Sequence, residues 1–117
     1  MDRDFINRFA ADWIEAWNAH DLERILSHYS DDFEMSSPVI PYFTNEPTGI
    51  LRGKSAVGAY WGKALLLMPE LKFELITVLA GVNSAVLYYK GVRGRFSAEV
   101  FYFGPDGKVI RANAHYS

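Results

Sequence analysis

Hydrophobic residues recur at helical spacing in the first third of the chain. From about residue 4 to residue 18, apolar side chains stand three and four positions apart, which predicts an amphipathic helix. Residues 18–21 then form a turn in which Asp21 can cap a second helix by accepting from backbone N–H groups. The helical spacing continues from Leu22 until Asp31-Asp32 ends it. The apolar stripe of the first helix contains Phe5, Ile6, Phe9, Ala10, Trp13, Ile14 and Trp17.

The pattern changes to strand-like runs in the second half. A third helix is predicted over about residues 55–68, where Pro69 stops it. Four runs rich in β-branched and aromatic residues follow at 71–80, 84–91, 95–103 and 108–116, separated by Gly, Asn or Pro. Their short connections predict an antiparallel meander. Together with the helices, they indicate an α+β fold.

The segment between the first strand and the third helix has a different composition. A short strand is predicted over residues 33–37, and Pro38 ends it. Residues 38–53 contain three prolines and are expected to be irregular. The apolar residues of this segment either plug the edge of the core or cover the mouth of a pocket. They are Val39, Ile40, Tyr42 and Phe43.

Composition restricts the classes of protein to which the chain can belong. It has 117 residues, 50% hydrophobic and 15% aromatic, and we interpret residues 1–117 as a single domain. A net charge of −2 and the lack of a basic run argue against nucleic-acid binding. The longest apolar run, residues 64–68, is far too short to span a membrane. The lack of cysteine excludes disulfides and fits a cytoplasmic protein.

The three histidines show no metal-binding spacing. We therefore predict neither a metal site nor a cofactor. His28 is expected on the solvated side of the second helix, and His115 on the outer face of the sheet.

Pairing of the two central strands leads to candidate chemistry. If Arg93-Gly94 form the tip of a two-residue hairpin, Tyr88 stands opposite Glu99 and Lys90 opposite Ser97. Pairing of the last hairpin then places Ala112 beside Glu99 and Ala114 beside Ser97. In this register the outer face is an apolar stripe, which is typical of an interface and predicts a homodimer. The stripe contains Leu87, Tyr89, Ala98, Val100 and Tyr102.

Glu99 is the main catalytic candidate, with Tyr88 as its neighbour. A carboxylate among aromatic and small residues has a raised pKa, which suits general acid/base work. The small side chains of Ser97, Ala112 and Ala114 leave room for a ligand rather than filling the space. The alternative is a structural acid, hydrogen-bonded to Tyr88 or paired with Lys90.

Three blocks of the sequence follow the pattern of one superfamily. The first contains Trp17-Asn18, Asp21-Leu22, Leu26, Tyr29 and Asp31-Asp32, the second residues 51–56 with Tyr60-Trp61, and the third residues 104–109. In these blocks the chain resembles the nuclear transport factor 2-like superfamily, in particular its SnoaL-like branch. The resemblance implies a cone-shaped barrel of three N-terminal helices packed on a curved antiparallel sheet. It also implies dimerisation through the sheet surface.

Comparison with ketosteroid isomerase, a catalytic relative in that superfamily, narrows the chemistry. The positions of its tyrosine, its aspartate base and its protonated aspartate match Trp13, Ser37 and Glu99 here. Since a serine occupies the base position, the resemblance does not extend to steroid-type isomerisation by that mechanism. Many SnoaL-like cyclases use an acid on the last strand, where residues 112–114 are Ala-Asn-Ala here.

Three functions are compatible with the sequence. The first is a cofactor-free isomerase, cyclase or dehydratase that uses acid/base chemistry on an apolar or aromatic small molecule. The second is a noncatalytic pocket for an apolar ligand, and the third is a protein-association module. The residues expected to bind a ligand in either pocket are Trp13, Ser37, Tyr60, Trp61, Phe101 and Tyr116.

Overall fold

The first N-terminal helix forms where the periodicity predicts it. The second helix is shorter than predicted, because it ends at Leu26 and a strand predicted from residue 33 already begins at Tyr29. A computed structural model describes residues 2–117, in which α1 spans Arg3–Asn18 and α2 spans Leu22–Leu26. Asp2 caps α1 by accepting from the Asp4 backbone N–H at 3.0 Å. Asp21 caps α2 by accepting from the Arg24 backbone N–H at 3.1 Å, so the predicted cap is confirmed.

The remaining elements alternate between the sheet and the helices that cover it. In chain order they are β1 Tyr29–Ser36, α3 Ile40–Phe43, β2 Ile50–Arg52, α4 Gly53–Leu67, β3 Glu74–Gly81, β4 Ser84–Lys90, a 3₁₀ turn Val92–Gly94, β5 Phe96–Phe103 and β6 Val109–Tyr116. The expectation of an irregular segment 38–53 is wrong in part, because it contains α3 and β2. Pro41 lies in the first turn of α3, where its missing N–H is not needed.

The strands form one curved sheet in which the first and the last strand of the chain, β1 and β6, are neighbours. The order is β2-β1-β6-β5-β4-β3. Strands β3 to β6 form the predicted antiparallel meander. Strand β1 pairs antiparallel with β2 but parallel with β6, so the sheet is not purely antiparallel. This parallel pair brings the start of β1 and the residues that follow it beside the last strand.

The register of β4 and β5 differs by one residue from the predicted one. Leu87, not Tyr88, stands opposite Glu99, and Tyr88 stands opposite Ala98. The hairpin loop has three residues, closed by a hydrogen bond from the Gly91 N–H to the Arg95 carbonyl at 2.7 Å. Because side chains alternate along a strand, the additional loop residue exchanges the two faces of β4.

The register of β5 and β6 is shifted by two residues, with a different consequence. Glu99 faces Ala114, and Phe101 faces Ala112. The predicted pairs of Glu99 with Ala112 and Ser97 with Ala114 are therefore wrong. A two-residue shift leaves every side chain on its expected face, so small residues still stand beside Glu99.

The core lies between the sheet's inner face and the helices α1 and α4. Phe9 and Trp13 on α1 make edge contacts with Phe101 on β5, with ring centroids 5.0 and 5.4 Å apart. Trp61 on α4 contacts Tyr29 on β1 at 5.1 Å. The predicted apolar stripe of α1 therefore faces the sheet. Within residues 2–117, none of the helices combines the length and apolar character that crossing a membrane requires.

Candidate acid site in the aromatic cone

An open cavity of about 700 Å³ lies between the inner face of the sheet and the helices. Its volume is in the range of sites for small organic molecules. Aromatic side chains supply most of its walls. The lining residues with chemical or aromatic character are Trp13, Trp17, Tyr42, Phe43, Tyr60, Trp61, Phe73, Tyr89, Arg93, Arg95, Ser97, Glu99 and Tyr116.

The mouth of the cavity is formed by lining residues that are also exposed. They are Pro38 and Tyr42, Leu67 at the end of α4, Arg93 and Arg95 on the β4–β5 hairpin, and Tyr116 at the end of β6. Segment 38–43 serves both purposes considered for it. Ile40 is fully buried in the core, whereas Val39, Tyr42 and Phe43 line the cavity.

Glu99 is the acidic side chain of the cavity wall. It lies on β5 and is only 4% exposed. The Tyr89 hydroxyl donates a hydrogen bond to its Oε1 at 3.1 Å. Burial raises the pKa of Glu99 to about 7, and the Tyr89 hydrogen bond opposes the rise. At neutral pH both the acid and the carboxylate are therefore populated, so Glu99 can donate or accept a proton.

Four tyrosine hydroxyls lie close enough to Glu99 to be affected by its charge. In each of them burial raises the pKa above 10, and the negative charge of Glu99 adds to the rise. The pKa of Tyr60 reaches about 12. All four phenols thus stay protonated near neutral pH and can act as hydrogen-bond donors. They are Tyr29, Tyr60, Tyr89 and Tyr116.

Two further polar groups are placed among these tyrosines. Trp13 Nε1 donates to the Tyr29 hydroxyl at 2.9 Å in a fully buried pair. The Ser37 hydroxyl, buried just beyond β1, accepts from the Val39 backbone N–H at 3.3 Å, and its proximity to Tyr60 and Tyr116 opposes the rise that burial causes in their pKa. Trp13 and Ser37 therefore belong to the polar network of the cone, although Ser37 does not line the cavity.

The structure brings together most of the residues that the sequence singled out. Trp13, Tyr60, Trp61, Glu99 and Tyr116 line the cavity. Phe101 does not line it, because its ring is fully buried in the core.

Tyr88 is not beside Glu99. The hairpin loop turns it to the outer face, where its ring stacks on Phe96 at 5.8 Å. Lys90 lies on that outer face as well, with Phe96 opposite it on β5, so the predicted Glu99–Lys90 pair is wrong. Of the structural partners considered for Glu99, only a tyrosine hydroxyl is found, and it belongs to Tyr89.

Sequence reasoning missed Tyr29 and Tyr89 as members of the site. Tyr89 was predicted on the outer face together with Leu87, but both are almost completely buried. The unused signal was the adjacent pair Tyr88-Tyr89, since either residue can face Glu99 depending on loop length. Tyr29 carried no signal of its own, because the parallel pairing of β1 was not predicted.

The outer face of the sheet keeps an apolar stripe of different membership. With Leu87 and Tyr89 inside, the β4 residues on this face are Val86 and Tyr88. Leu79 on β3 is 57% exposed and Phe96 on β5 is 42% exposed. Ala98, Val100 and Tyr102 keep their predicted outer positions.

Comparisons with known proteins agree on the domain type. Residues 10–116 match the family model of the SnoaL-like domain. A SnoaL-like protein of unknown function from Burkholderia thailandensis is 55% identical, with a TM-score of 0.96, over 99% of this chain and 97% of that one. A search of curated proteins finds no match.

More distant structures share the fold. A proposed isomerase of the SnoaL-like family from Agrobacterium tumefaciens is 14% identical, with a TM-score of 0.77 over 97% of this chain and 98% of that one. SalBIII, described as an epoxide hydrolase/cyclase-like enzyme of pyran ring formation in the polyether salinomycin, is 16% identical. Its TM-score is 0.77 over 99% of this chain and 93% of that one. At these identities the likeness concerns the fold alone.

Proposed function

The chain belongs to the SnoaL-like domain family, and on that premise we propose that its cone binds an apolar or aromatic small molecule on which Glu99 performs cofactor-free acid/base chemistry. The reaction class is an isomerisation, cyclisation or dehydration, in which a proton moves between two atoms of one molecule. A proposed isomerase of the SnoaL-like family and a cyclase-like enzyme of the same fold support this class.

One observation carries the proposal. A carboxyl group stands in the wall of a large aromatic cavity without a cationic partner among residues 2–117, and burial raises its pKa to about 7. Buried acids are usually paired, because an unpaired buried charge is destabilising. A general acid or base works best when its pKa lies near the working pH. The placement of Glu99 thus suits proton transfer better than it suits stability.

Glu99 and the surrounding tyrosine hydroxyls have separate roles in the proposed reaction. As a carboxylate, Glu99 accepts a proton from an acidic C–H or O–H of the ligand. As the resulting acid, it returns the proton to a different atom of the same molecule. Tyr60 and Tyr116, both protonated at neutral pH, can donate hydrogen bonds to an oxygen on which negative charge develops.

Replacement of Glu99 tests the proposal. Glu99→Gln keeps the size and much of the hydrogen bonding of the side chain but removes its ionisation. An enzyme that transfers a proton there loses about 10²–10⁴-fold in rate. Asp12→Asn, which changes a carboxylate outside the cavity, is the matched control and leaves the rate within a few fold. Equal rates in wild type and Glu99→Gln would contradict the catalytic role.

The same variant separates catalysis from simple binding. In a noncatalytic pocket, Glu99→Gln keeps the affinity for a neutral ligand within a few fold. Before any substrate is known, a carbon-detected NMR titration of the Glu99 carboxyl tests the physical premise. We expect a midpoint near the pKa of about 7, and an ordinary midpoint would remove the catalytic candidate.

The outer face supports a second proposal, that the protein is a homodimer. The apolar stripe of Leu79, Tyr88, Phe96 and Val100 is not covered by any element within residues 2–117, and exposed apolar patches usually mark interfaces. Sedimentation at micromolar concentration should give twice the chain mass. Val100→Lys should give a monomer, whereas the control Val82→Lys, in the exposed β3–β4 turn, should stay dimeric. A monomeric wild type would contradict the proposal.

A further inference from the structure

The mouth of the cavity is asymmetric in charge. Among the described residues that line it, Arg93 and Arg95 carry the positive charge, and Glu99, deep in the wall, is the one acid. Both arginines are exposed on the β4–β5 hairpin. A ligand that enters the cone therefore passes two guanidinium groups before it meets the aromatic walls and Glu99.

Arg95 is held in place at this mouth. Its Nε donates to the Ser117 carbonyl at 3.0 Å, and its Nη2 donates to the same oxygen. These bonds fix the guanidinium beside the end of β6, next to Tyr116. A guanidinium has five N–H donors, and two of the five are used here, so three donors remain for a further acceptor.

Arg93 occupies a backbone position that disfavours arginine. Its φ is +59°, in the left-handed region, and the following Gly94 has φ +73°. Glycine or asparagine is the usual residue at such a hairpin position. Across residues 2–117 the Arg93 side chain makes neither an ion pair nor a hydrogen bond. Within residues 2–117, neither a hydrogen bond nor an ion pair therefore explains an arginine at a strained position beside a cavity.

We propose that the ligand of the cone is an amphipathic carboxylate, whose apolar, aromatic body fills the cavity while Arg93 and Arg95 hold its carboxylate at the mouth. This inference rests on the proposed small-molecule cavity and adds the ligand's charge and orientation. Arginine is suited to the task, because its planar fork matches the two oxygens of a carboxylate. The reacting part of such a ligand points inward, towards Glu99 and the tyrosine hydroxyls.

A pair of matched probes tests the inference. 2-Naphthoate and 2-naphthamide have nearly the same shape, but only the first carries a negative charge. Binding is measured by calorimetry and by quenching of the tryptophan fluorescence that Trp13, Trp17 and Trp61 contribute at the cavity wall. At about pH 6, where Glu99 is mostly protonated, we expect naphthoate to bind at least about tenfold more tightly than naphthamide.

Charge-removing variants locate the effect. Arg93→Gln should remove most of the preference for naphthoate and leave naphthamide binding unchanged. Arg93→Gly, which suits the backbone, should do the same with a fold at least as stable. Arg8→Gln removes an exposed charge on α1 that is not part of the cavity lining, and should change neither affinity. Raising the salt concentration should weaken naphthoate selectively.

The outcomes separate this inference from the function on which it rests. Ala64 lines the cavity on α4, so Ala64→Phe should block both probes if they enter the cone. Equal affinities of the two probes, both blocked by Ala64→Phe, overturn the carboxylate inference and leave the cavity function intact. Failure of both probes to bind, or binding that Ala64→Phe does not reduce while melting shows that variant folded, overturns both.

Discussion

Two carboxylates of this protein have opposite environments. Asp12, at the outer side of α1, accepts from Arg24 Nε at 3.1 Å and from His28 Nε2 at 2.6 Å. Hydrogen bonding to Arg24 is the main cause that lowers the pKa of Asp12. Among the described residues Glu99 has a single partner, a tyrosine hydroxyl, and burial raises its pKa to about 7. The same functional group is thus fixed as an anion at one place and left ready to change charge at the other.

The hydrogen-bond partners of the two carboxylates explain the difference between their pKa values better than burial alone does. His28 is half-buried against Phe9, with ring centroids 5.1 Å apart, so the prediction of a solvated His28 is wrong. Burial lowers the pKa of His28, which leaves it neutral near pH 7 and able to donate to Asp12. The Asp12 cluster satisfies its charges internally and ties α1 to α2. Glu99 lacks such compensation, which is the usual sign of a functional acid.

The largest effect is expected from a buried aromatic residue, Phe101, on the same strand as Glu99. Phe101 is fully buried against Phe9 and Trp13. Phe101→Ala should destabilise the fold by about 3–5 kcal/mol, because it leaves a cavity in the core. Urea unfolding measures the loss. The control Phe96→Ala, on the outer face, should lose much less. Similar losses of stability in the two variants would contradict the central place of Phe101 in the core.

The pH dependence of stability should distinguish Glu99 from its amide. Below pH 4.5 the group is protonated in both states. As the pH rises towards 7, the unfolded chain releases this proton while the folded chain keeps it, so stability falls. The shift from 4.5 to about 7 corresponds to about 3 kcal/mol lost relative to Glu99→Gln. Chemical unfolding of both proteins across this range measures the difference, and parallel stability curves would contradict it.

Removal of the tyrosine hydroxyl that donates to Glu99 should have a smaller effect. Tyr89→Phe takes away the hydroxyl that donates to Oε1, so the pKa of Glu99 should rise further and stability should fall by about 1 kcal/mol. Tyr88→Phe, one residue away on the outer face, is the matched control and should leave the titration unchanged. NMR titration of Glu99 in both variants reads out the register directly. A shift in the Tyr88 variant alone would indicate the register first predicted from the sequence.

The smallest effect is expected at Asp12. Asp12→Asn should cost about 1 kcal/mol or less, because the cluster is partly exposed and screened by solvent. The contribution of Asp12 to stability changes with pH in the direction opposite to that of Glu99. The folded pKa of Asp12 is lowered, so its contribution is present above pH 3.8 and is lost as the pH falls through that lowered value. Equal stability of wild type and Asp12→Asn at every pH would contradict the opposite pH dependence expected for Asp12 and Glu99.

Local sequence determined the first helix, the start of the second helix and the identity of the acid. The spacing of apolar residues along α1 and the cap at Asp21 act over a few residues, so they are legible without the rest of the chain. The prediction that small residues of β6 lie beside Glu99 remains correct although the register of β6 is shifted by two residues, because an even shift keeps each side chain on its face. The family resemblance likewise rests on short motifs, and it is confirmed.

Only the tertiary structure decided which side chains accompany that acid. Residues 86–89 of β4 are apolar or aromatic at every position, so alternation could not identify the inner face. One additional loop residue, with Arg93 and Gly94 in the left-handed region, placed Tyr89 inside and Tyr88 outside. The parallel pairing of β1 with β6 brought Tyr29 and Ser37 to the same cone. Contacts between distant strands depend on loop conformation and packing of the whole core, which no local pattern encodes.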